Sequence, residues 1–457
     1  VRTEQDLVGT LRKAANSVPP PVDLGHGLVT RRRRRTRRRY QSALAVAGVV
    51  AVVLGGTAVV RGGDRTDEVG PMASAAPGIV DDPATVEGRP SPAREVWPEA
   101  VSTIPKKAAD GFRYRPVTAL SPTEILLIAE ASFEKAGRFE VYDTRTGQAR
   151  VLTTIVPGGK GYFEQHAEVG QDYIAWYGTK PNDGVAWAVL WAAPRQGGDP
   201  IRVGEVGGGL AEVDRIGVTK DHVLWSPRSG GVYRMPISGG APERIAGTDG
   251  LWLYSWPWAR DVPGDAGPDE EQRNRNQSLL VNLETGARRS ITAPSGVTGL
   301  RCATEWCVGT SGGSEGSEGS DGQVFAMRPD GTEGKQLPGR AHMLEIHGGH
   351  FVQLSEGRPA LYDLNTGKVA GISAITKDGA GGSYGSGVSS SPTLVFYWNA
   401  GETKTKRTCV PMREEDRKLM ASAGATPSPG ATTCMTETIE LGDKNEILNL
   451  AAVQDAG

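Results

Sequence analysis

Between Ile125 and Trp398 the apolar residues come in short runs bounded by Gly, Pro, Asn, Asp or Ser: Ile125 to Ala129, Tyr173 to Tyr177, His222 to Ser226, Leu253 to Trp258, Glu305 to Gly309, Phe351 to Leu354 and Leu394 to Trp398. Runs this short with turn residues beside them predict strands rather than helices. A second feature keeps step with them. Val141-Tyr142-Asp143-Thr144-Arg145-Thr146-Gly147, Val281-Asn282-Leu283-Glu284-Thr285-Gly286 and Leu361-Tyr362-Asp363-Leu364-Asn365-Thr366-Gly367 each pass from an apolar strand through a polar turn to a glycine, and looser copies end at Gly198, Gly240 and Gly331. Asp, Asn and Thr can bond their own backbone at such a turn, and Gly supplies the positive φ that closes it.

The glycines lie 51, 42, 46, 45 and 36 residues apart, the period of a repeated four-stranded unit. Seven runs spread over residues 112–455 leave about 49 residues per unit, so the pattern predicts an all-β, seven-bladed β-propeller, with six larger blades as the alternative. A two-sheet sandwich imposes no such period. Ring closure requires the last blade to borrow a strand. The stretch around Val96-Trp97-Pro98-Glu99-Ala100-Val101 is preferred for this over Ile447 to Val453.

Upstream the pattern changes. Tyr40 to Val60 is a run of 21 residues without a formal charge, which as a helix rising about 1.5 Å per residue matches a hydrocarbon core of roughly 30 Å. One transmembrane helix is therefore expected at 40–60. Arg31, Arg32, Arg33, Arg34, Arg35, Arg37, Arg38 and Arg39 crowd one end of it, while only Arg61 and Arg65 lie near the other. Because cytoplasmic flanks are enriched in Lys and Arg, this asymmetry orients the N-terminus inside and the rest outside, a single-pass protein of the cell membrane. A cleaved twin-arginine signal is the alternative, with Thr36-Arg37-Arg38-Arg39-Tyr40 as its start and Ala73-Ser74-Ala75 as its cleavage site. That site stands 13 residues beyond Val60, with Arg61 and Arg65 between. Flush against a bilayer segment the arginines serve orientation and anionic-lipid contact, so no nucleic-acid partner is expected.

Thr3-Glu4-Gln5-Asp6 has the form of a capping box, and Leu7, Val8, Leu11 and Ala14 follow on one face of a short helix ended by Pro19-Pro20-Pro21. A helix of three or four turns is marginal alone in water, which leaves open a frayed tail, a helix lying on the membrane or a seat for a cytoplasmic partner. Gly62 to Arg94 is rich in Gly, Pro, Ala and Ser and reads as a flexible extracytoplasmic linker. The chain thus divides into a cytoplasmic tail at 1–39, a membrane helix at 40–60, a linker at 61–94 and a propeller at 95–457.

Composition agrees with this division. Gly and Pro account for 62 and 30 of 457 residues and aromatics for 6%, a balance that suits a turn-rich β protein and excludes collagen and wholesale disorder. The net charge of −2 hides 12 basic and 3 acidic residues in 1–61, which leaves the remainder at −11.

Cys302, Cys307, Cys409 and Cys434 all fall on the expected outer side, where disulfides persist. Three pairings are possible. Local pairing is the simplest, and a bond between Cys409 and Cys434 would staple the insertion Ala421 to Thr433. The C-x4-C spacing is wider than a zinc knuckle, so no metal is expected there. His342, Glu345, His347 and His350 resemble a ligand set, but a strand to Ile346 followed by Gly348 and Gly349 makes them strand and turn residues. The pattern G-x-S-x-G occurs at Ser311, Ser314 and Ser383, in Gly/Ser-rich loops without the fixed strand-to-helix turn that a nucleophile needs. No catalytic residue and no cofactor is assigned. Asp261, Asp265, Asp269, Glu270 and Glu271 form a solvated acidic loop, with a calcium site as the alternative. Trp252, Tyr254, Trp256 and Trp258 are expected to pack within a blade, with a surface cleft for sugar or peptide as the alternative for part of them.

The succession of Thr3-Glu4-Gln5-Asp6-Leu7, an Arg-rich flank, one apolar pass, a linker, Val96-Trp97-Pro98-Glu99-Ala100 and D-x-x-T-G hairpins resembles that of single-pass actinobacterial membrane proteins with an outer TolB or WD40-type propeller. Some of these are encoded beside extracytoplasmic-function sigma factors. The resemblance implies an outer sensor and a tail that contacts a sigma factor. The His-x3-Cys-x2-Cys motif of zinc anti-sigma domains has no counterpart here. The expected function is binding, sensing or scaffolding of a protein, peptide or glycan; the alternatives are an envelope hydrolase or lyase and a purely structural role.

Overall fold

In a computed structural model of the chain, the structure describes residues 90–132, 135–156, 162–179, 185–264, 270–311, 322–356, 358–374, 383–414 and 432–453. The tail, the expected membrane helix and most of the linker lie outside the described residues. Among the described residues no helix is long and apolar enough to cross a membrane.

The described residues form seven four-stranded antiparallel sheets and one two-stranded hairpin, an all-β, seven-bladed propeller. Blades one to six each take four consecutive strands, laid from the axis outward. Their innermost strands are Arg113–Ala119, Phe163–Val169, Val213–Val218, Trp252–Ser255, Val297–Cys302 and Arg340–His347, and Tyr384–Ser386 serves the seventh. Six of the apolar runs fall on the second strands, among them Glu124–Ser132, Tyr173–Thr179 and His222–Pro227. The run Leu253 to Trp258 instead spans the end of an inner strand, a turn and the start of Trp258–Arg260.

The glycine-ended motifs are the turns joining third to fourth strands, and their chemistry repeats. The Asp143 carboxylate accepts from the backbone N–H of Arg145 and Thr146 at 2.8 and 3.2 Å. The Asn282 side-chain oxygen accepts from the backbone N–H of Glu284 and Thr285 at 3.0 and 2.9 Å, and the Asp363 carboxylate from those of Asn365 and Thr366 at 2.9 and 3.3 Å. Gly147, Gly286 and Gly367 follow with φ of 73°, 74° and 74°, where a Cβ would be strained.

Both candidates for ring closure take part. In blade seven Tyr384–Ser386 and Val395–Asn399 pair with Lys444–Asn449 as third strand, and Val101–Pro105 adds the fourth in a register running from Val101 opposite Leu448 to Pro105 opposite Lys444. The preferred stretch is displaced by a few residues. Ala93–Val96 is a helical turn and Pro98–Ala100 a 3-10 turn, with Pro98 at the first position, where its missing N–H costs nothing. Pairing therefore starts at Val101. The Trp97 ring meets the Phe351 ring edge-on at 5.6 Å, in a cluster with Leu361, Phe396 and Leu448 that cements blade six to blade seven. Ala93 is 0% exposed, so packing reaches back beyond Glu95.

The disulfides are local. Cys302–Cys307 joins facing residues of the first hairpin of blade five, and both cysteines are buried. Cys409–Cys434 joins Thr403–Pro411 to Thr432–Glu440, a hairpin inserted between the second and third strands of blade seven. Cys409 there is exposed.

Two outcomes test the fold. Trp97→Ala should lower unfolding free energy by about 3–5 kcal/mol through loss of a buried aromatic, whereas Val151→Ala, at a side chain 55% exposed, should stay within about 0.5 kcal/mol; urea unfolding followed by circular dichroism reads both. Under mild reductant without denaturant, mass mapping of alkylated thiols should find Cys409 and Cys434 modified before Cys302 and Cys307, because a reductant must reach the sulfur.

Candidate functional site

In sheets laid down from the axis outward, the turns joining first to second and third to fourth strands gather on one end of the ring, the turn face. Second-to-third joints and the blade-to-blade connections gather on the other. A concavity of about 980 Å³ opens on the turn face. Its wall includes Tyr254, Trp256 and Trp258 from blade four, Arg195 and Gln171 from blade two, and Lys220, Asp221 and His222 from blade three.

The cup has a floor because blade seven blocks the axis. The turn after Tyr384–Ser386 reaches across the centre and bonds three other blades. Val388 N–H donates to the Pro116 carbonyl at 3.1 Å, and Ser390 N–H to that of Ala167 at 2.8 Å. The Ile216 N–H donates to the Ser390 hydroxyl at 2.7 Å, and the Ser391 N–H to the Glu168 carboxylate at 2.6 Å. The Thr393 hydroxyl donates to the Val117 carbonyl at 3.2 Å. Gly387 makes the crossing possible, since a Cβ there would lie 2.1 Å from the Val117 carbonyl oxygen. Ser389, Ser391 and Pro392 of this plug line the cup together with Glu168.

Beside the plug, charged groups and rings from blades three, four and six meet. Arg215 of blade three donates to the Ser390 carbonyl and pairs with Glu345 of blade six at 2.5 Å. The Tyr254 hydroxyl donates to the Ile346 carbonyl at 3.1 Å, and the Arg260 guanidinium lies 4.9 Å from the Tyr254 ring centre. Arg260 is 3% exposed, its Nε has no hydrogen-bond partner, and no ion pair reaches it among the described residues. Burial, with the nearby Arg215 charge, pulls its pKa down to about 10, so it stays a cation at neutral pH. Arg301, also drawn down to about 10 by burial and by Arg260, caps the short helix Glu270–Asn274 by donating to the carbonyls of Gln272, Arg273 and Arg275.

The carboxyls split in their tendencies. Burial pushes Glu168 up, against the Ser391 bond that favours its ionised form. Burial would also raise Glu345, but the Arg215 and His347 charges outweigh it and hold that carboxyl below its ordinary value of 4.5. His347 is pushed down by burial, with Glu345 opposing.

Several sequence-derived candidates resolve into structure. Tyr254, Trp256 and Trp258 do line a cleft, while the Trp252 ring N–H is engaged by the Arg228 carbonyl at 3.2 Å. His347 faces the Thr393 carbonyl at 3.1 Å and the Phe396 ring, and His350 stands 3.9 Å from Asp363. Asp261 accepts from the backbone N–H of Ser278 and Leu279 and from the Ser278 hydroxyl, which makes it a loop clasp. Asp265 and Asp269 lie outside the described residues, and no group of possible metal ligands occurs among those described. Ser311 ends a buried strand, Ser314 lies outside the described residues, and the Ser383 hydroxyl donates to Glu440 at 2.6 Å. Arg31 to Arg39, Leu7, Val8, Leu11 and Ala14 also lie outside them. The plug, Glu168, Arg215 and Arg260 escaped the sequence pattern, as did the pairing of Glu345 with Arg215. Their available signal was formal charge inside short apolar strands, as in Val213-Asp214-Arg215-Ile216.

No protein-family model and no curated protein matches the chain. Among solved structures it is similar to YCF48 bound to D1 peptide, at 10% identity over 65% of this chain and 93% of that one, with a TM-score of 0.38. It is similar to the β-propeller domain of the Trilobed protease from Pyrococcus furiosus at 11% identity, 63% and 88% coverage and a TM-score of 0.36. Oligogalacturonate lyase in complex with manganese follows at 10% identity, 56% and 75% coverage and a TM-score of 0.35. Likenesses this distant carry no ligand or chemistry across, and the fold stands on the seven sheets themselves.

The ion pair across the axis predicts an acid limb. A carboxyl depressed in the folded state contributes stability that is complete above its unfolded value and lost as pH falls through the folded one. Glu345→Gln should therefore flatten the fall of unfolding free energy below pH 4.5. At pH 7 it should cost about 3–5 kcal/mol, because Arg215 is left buried without its partner. Denaturant titrations across pH read both effects.

Proposed function

We propose that the chain is a binding module whose turn-face cup holds a segment of protein, a peptide or a glycan. The observation that carries this is the blind floor. With Ser389, Ser391 and Pro392 of the plug in its lining, the cup is a concavity with a floor, an aromatic wall and a charged rim. Rings offer flat apolar area at low entropic cost, and the rim fixes orientation through hydrogen bonds, as in most ligand sites. The expected topology extends the proposal: an anchor at 40–60 oriented by Arg31 to Arg39 puts the propeller outside the cell membrane, and Leu7, Val8, Leu11 and Ala14 present an inward face to a cytoplasmic protein such as a sigma factor. Protease treatment of intact cells tests the orientation, since a propeller left uncut until lysis contradicts it.

A hydrolase or lyase reading has one observation in its favour, the Glu168 carboxyl at the floor, pushed up by burial in the manner of a general acid. The two readings part under substitution. A binding module leaves every bound glycan or peptide intact, whereas an enzyme releases product that Glu168→Gln abolishes.

Screening of the full-length protein against immobilised peptide and glycan arrays should yield ligands whose affinity falls about 30-fold, or about 2 kcal/mol, in Trp256→Ala. Ligands held equally by the variant would place binding away from the cup and sink the proposal.

A further inference from the structure

The face opposite the cup carries a smaller concavity of about 210 Å³, set between blade seven and blade one. Lys106, which follows the closing strand, donates to the Asn399 side-chain oxygen at 2.8 Å and to Glu440 of the inserted hairpin at 2.9 Å. The other oxygen of Glu440 accepts from the Ser383 hydroxyl at 2.6 Å. Both oxygens are thus engaged. Burial would raise this carboxyl, but Ser383 and Lys106 outweigh it and hold it ionised below the usual range.

Two further groups have no such partners. Asn445 lines the concavity, is 8% exposed, and makes no side-chain hydrogen bond among the described residues. An amide can form up to four hydrogen bonds, and the polar atoms of this one are not among the buried atoms that lack a partner, so the small exposed part of Asn445 is an amide open to the concavity. Arg113, on the same lining, has neither an ion pair nor a side-chain hydrogen bond among the described residues. Lys106 has three donors and uses two. The Tyr397 ring completes the wall, lying so close over Gly385 that a Cβ there would come within 2.4 Å of it.

We propose that this concavity is a ligand site for a small hydroxylated monoanion of about the size of one hexuronate. Lys106 and Arg113 against the single carboxylate of Glu440 leave one positive charge over. The donors outnumber free acceptors, which selects a carboxylate, while the Asn445 amide can both donate to and accept from hydroxyls. The tyrosine ring offers a flat face to ring C–H groups. The volume accepts one small molecule. The surrounding groups come from the segment after the closing strand, from the inserted hairpin and from blades one and seven. An occupant therefore ties the ring shut as well as being bound by it.

Titration calorimetry and thermal unfolding of the full-length protein with sodium D-glucuronate, D-glucose and sodium acetate at matched ionic strength test this. D-Glucuronate should bind and raise the unfolding midpoint, with D-glucose and acetate each at least about tenfold weaker, the effect of losing one charge-assisted contact or the hydroxyl contacts. Asn445→Asp should weaken D-glucuronate binding by about tenfold or more, because a carboxylate then faces the anion. Arg113→Gln, at an exposed side chain whose change spares the core, should weaken it similarly and carries the test if Asn445→Asp does not fold. Trp256→Ala, on the other face, should leave it unchanged. Equal binding of D-glucose and D-glucuronate, no binding of either, or full affinity in Arg113→Gln would overturn the proposal.

Discussion

The structure depends on one sheet made from both ends of the propeller. Val101–Pro105 lies against Lys444–Asn449, and until those strands meet the other six blades form an open arc whose two end sheets each lack a neighbour. Joining points roughly 340 residues apart costs on the order of 5 kcal/mol in chain entropy. Trp97, Val101 and Ile104, all buried at this seam, each contribute about 1.5–3 kcal/mol by leaving water. The Arg94–Glu446 pair at 2.7 Å adds little, since Arg94 remains half exposed. Closure is therefore a hydrophobic event whose register is set by backbone hydrogen bonds.

The axis obeys a second constraint. Seven inner strands each present an edge of N–H and C=O groups toward the centre, where an open bore would leave them to water. Gly387 to Thr393 meets part of that demand with its own backbone and side chains. Arg215, spanning from blade three to blade six through Glu345, meets another part. Contacts of this kind make the centre polar. They leave Arg260 buried beside Tyr254 without a carboxylate of its own: burial and the Arg215 charge draw its pKa down, and the Glu345 and Asp214 charges oppose them only in part.

The repeat was legible because it is written in local chemistry. Asp143, Asn282 and Asp363 each bond the backbone two and three residues ahead, a contact that leaves its mark within seven residues of sequence. The Cys302–Cys307 and Cys409–Cys434 pairings were legible as the simplest of three for the same reason, since each joins neighbours in one hairpin. Inner strands were harder to see. They are short, and residues such as Glu168 and Arg215 interrupt their apolar pattern to make contacts with blades far away in sequence. The plug resembles an ordinary Gly/Ser loop, and nothing near Ser390 indicates that its partners are Ala167, Arg215 and Ile216. At the closing strand the sequence reading erred by a few residues, because Pro98 favours a helical turn where an apolar stretch alone suggested extension.

Closure by the N-terminal strand also fixes an order of events as the chain is made. The strand that emerges first is the one placed last. Throughout synthesis Trp97, Val101 and Ile104 wait without a surface to rest on, and the first hairpin of blade one must form beside a neighbour that does not yet exist. Only when Lys444–Asn449 arrives does the whole ring become a single cooperative unit, so a nascent chain stalled before Lys444 is a protein with six finished sheets and no finished fold.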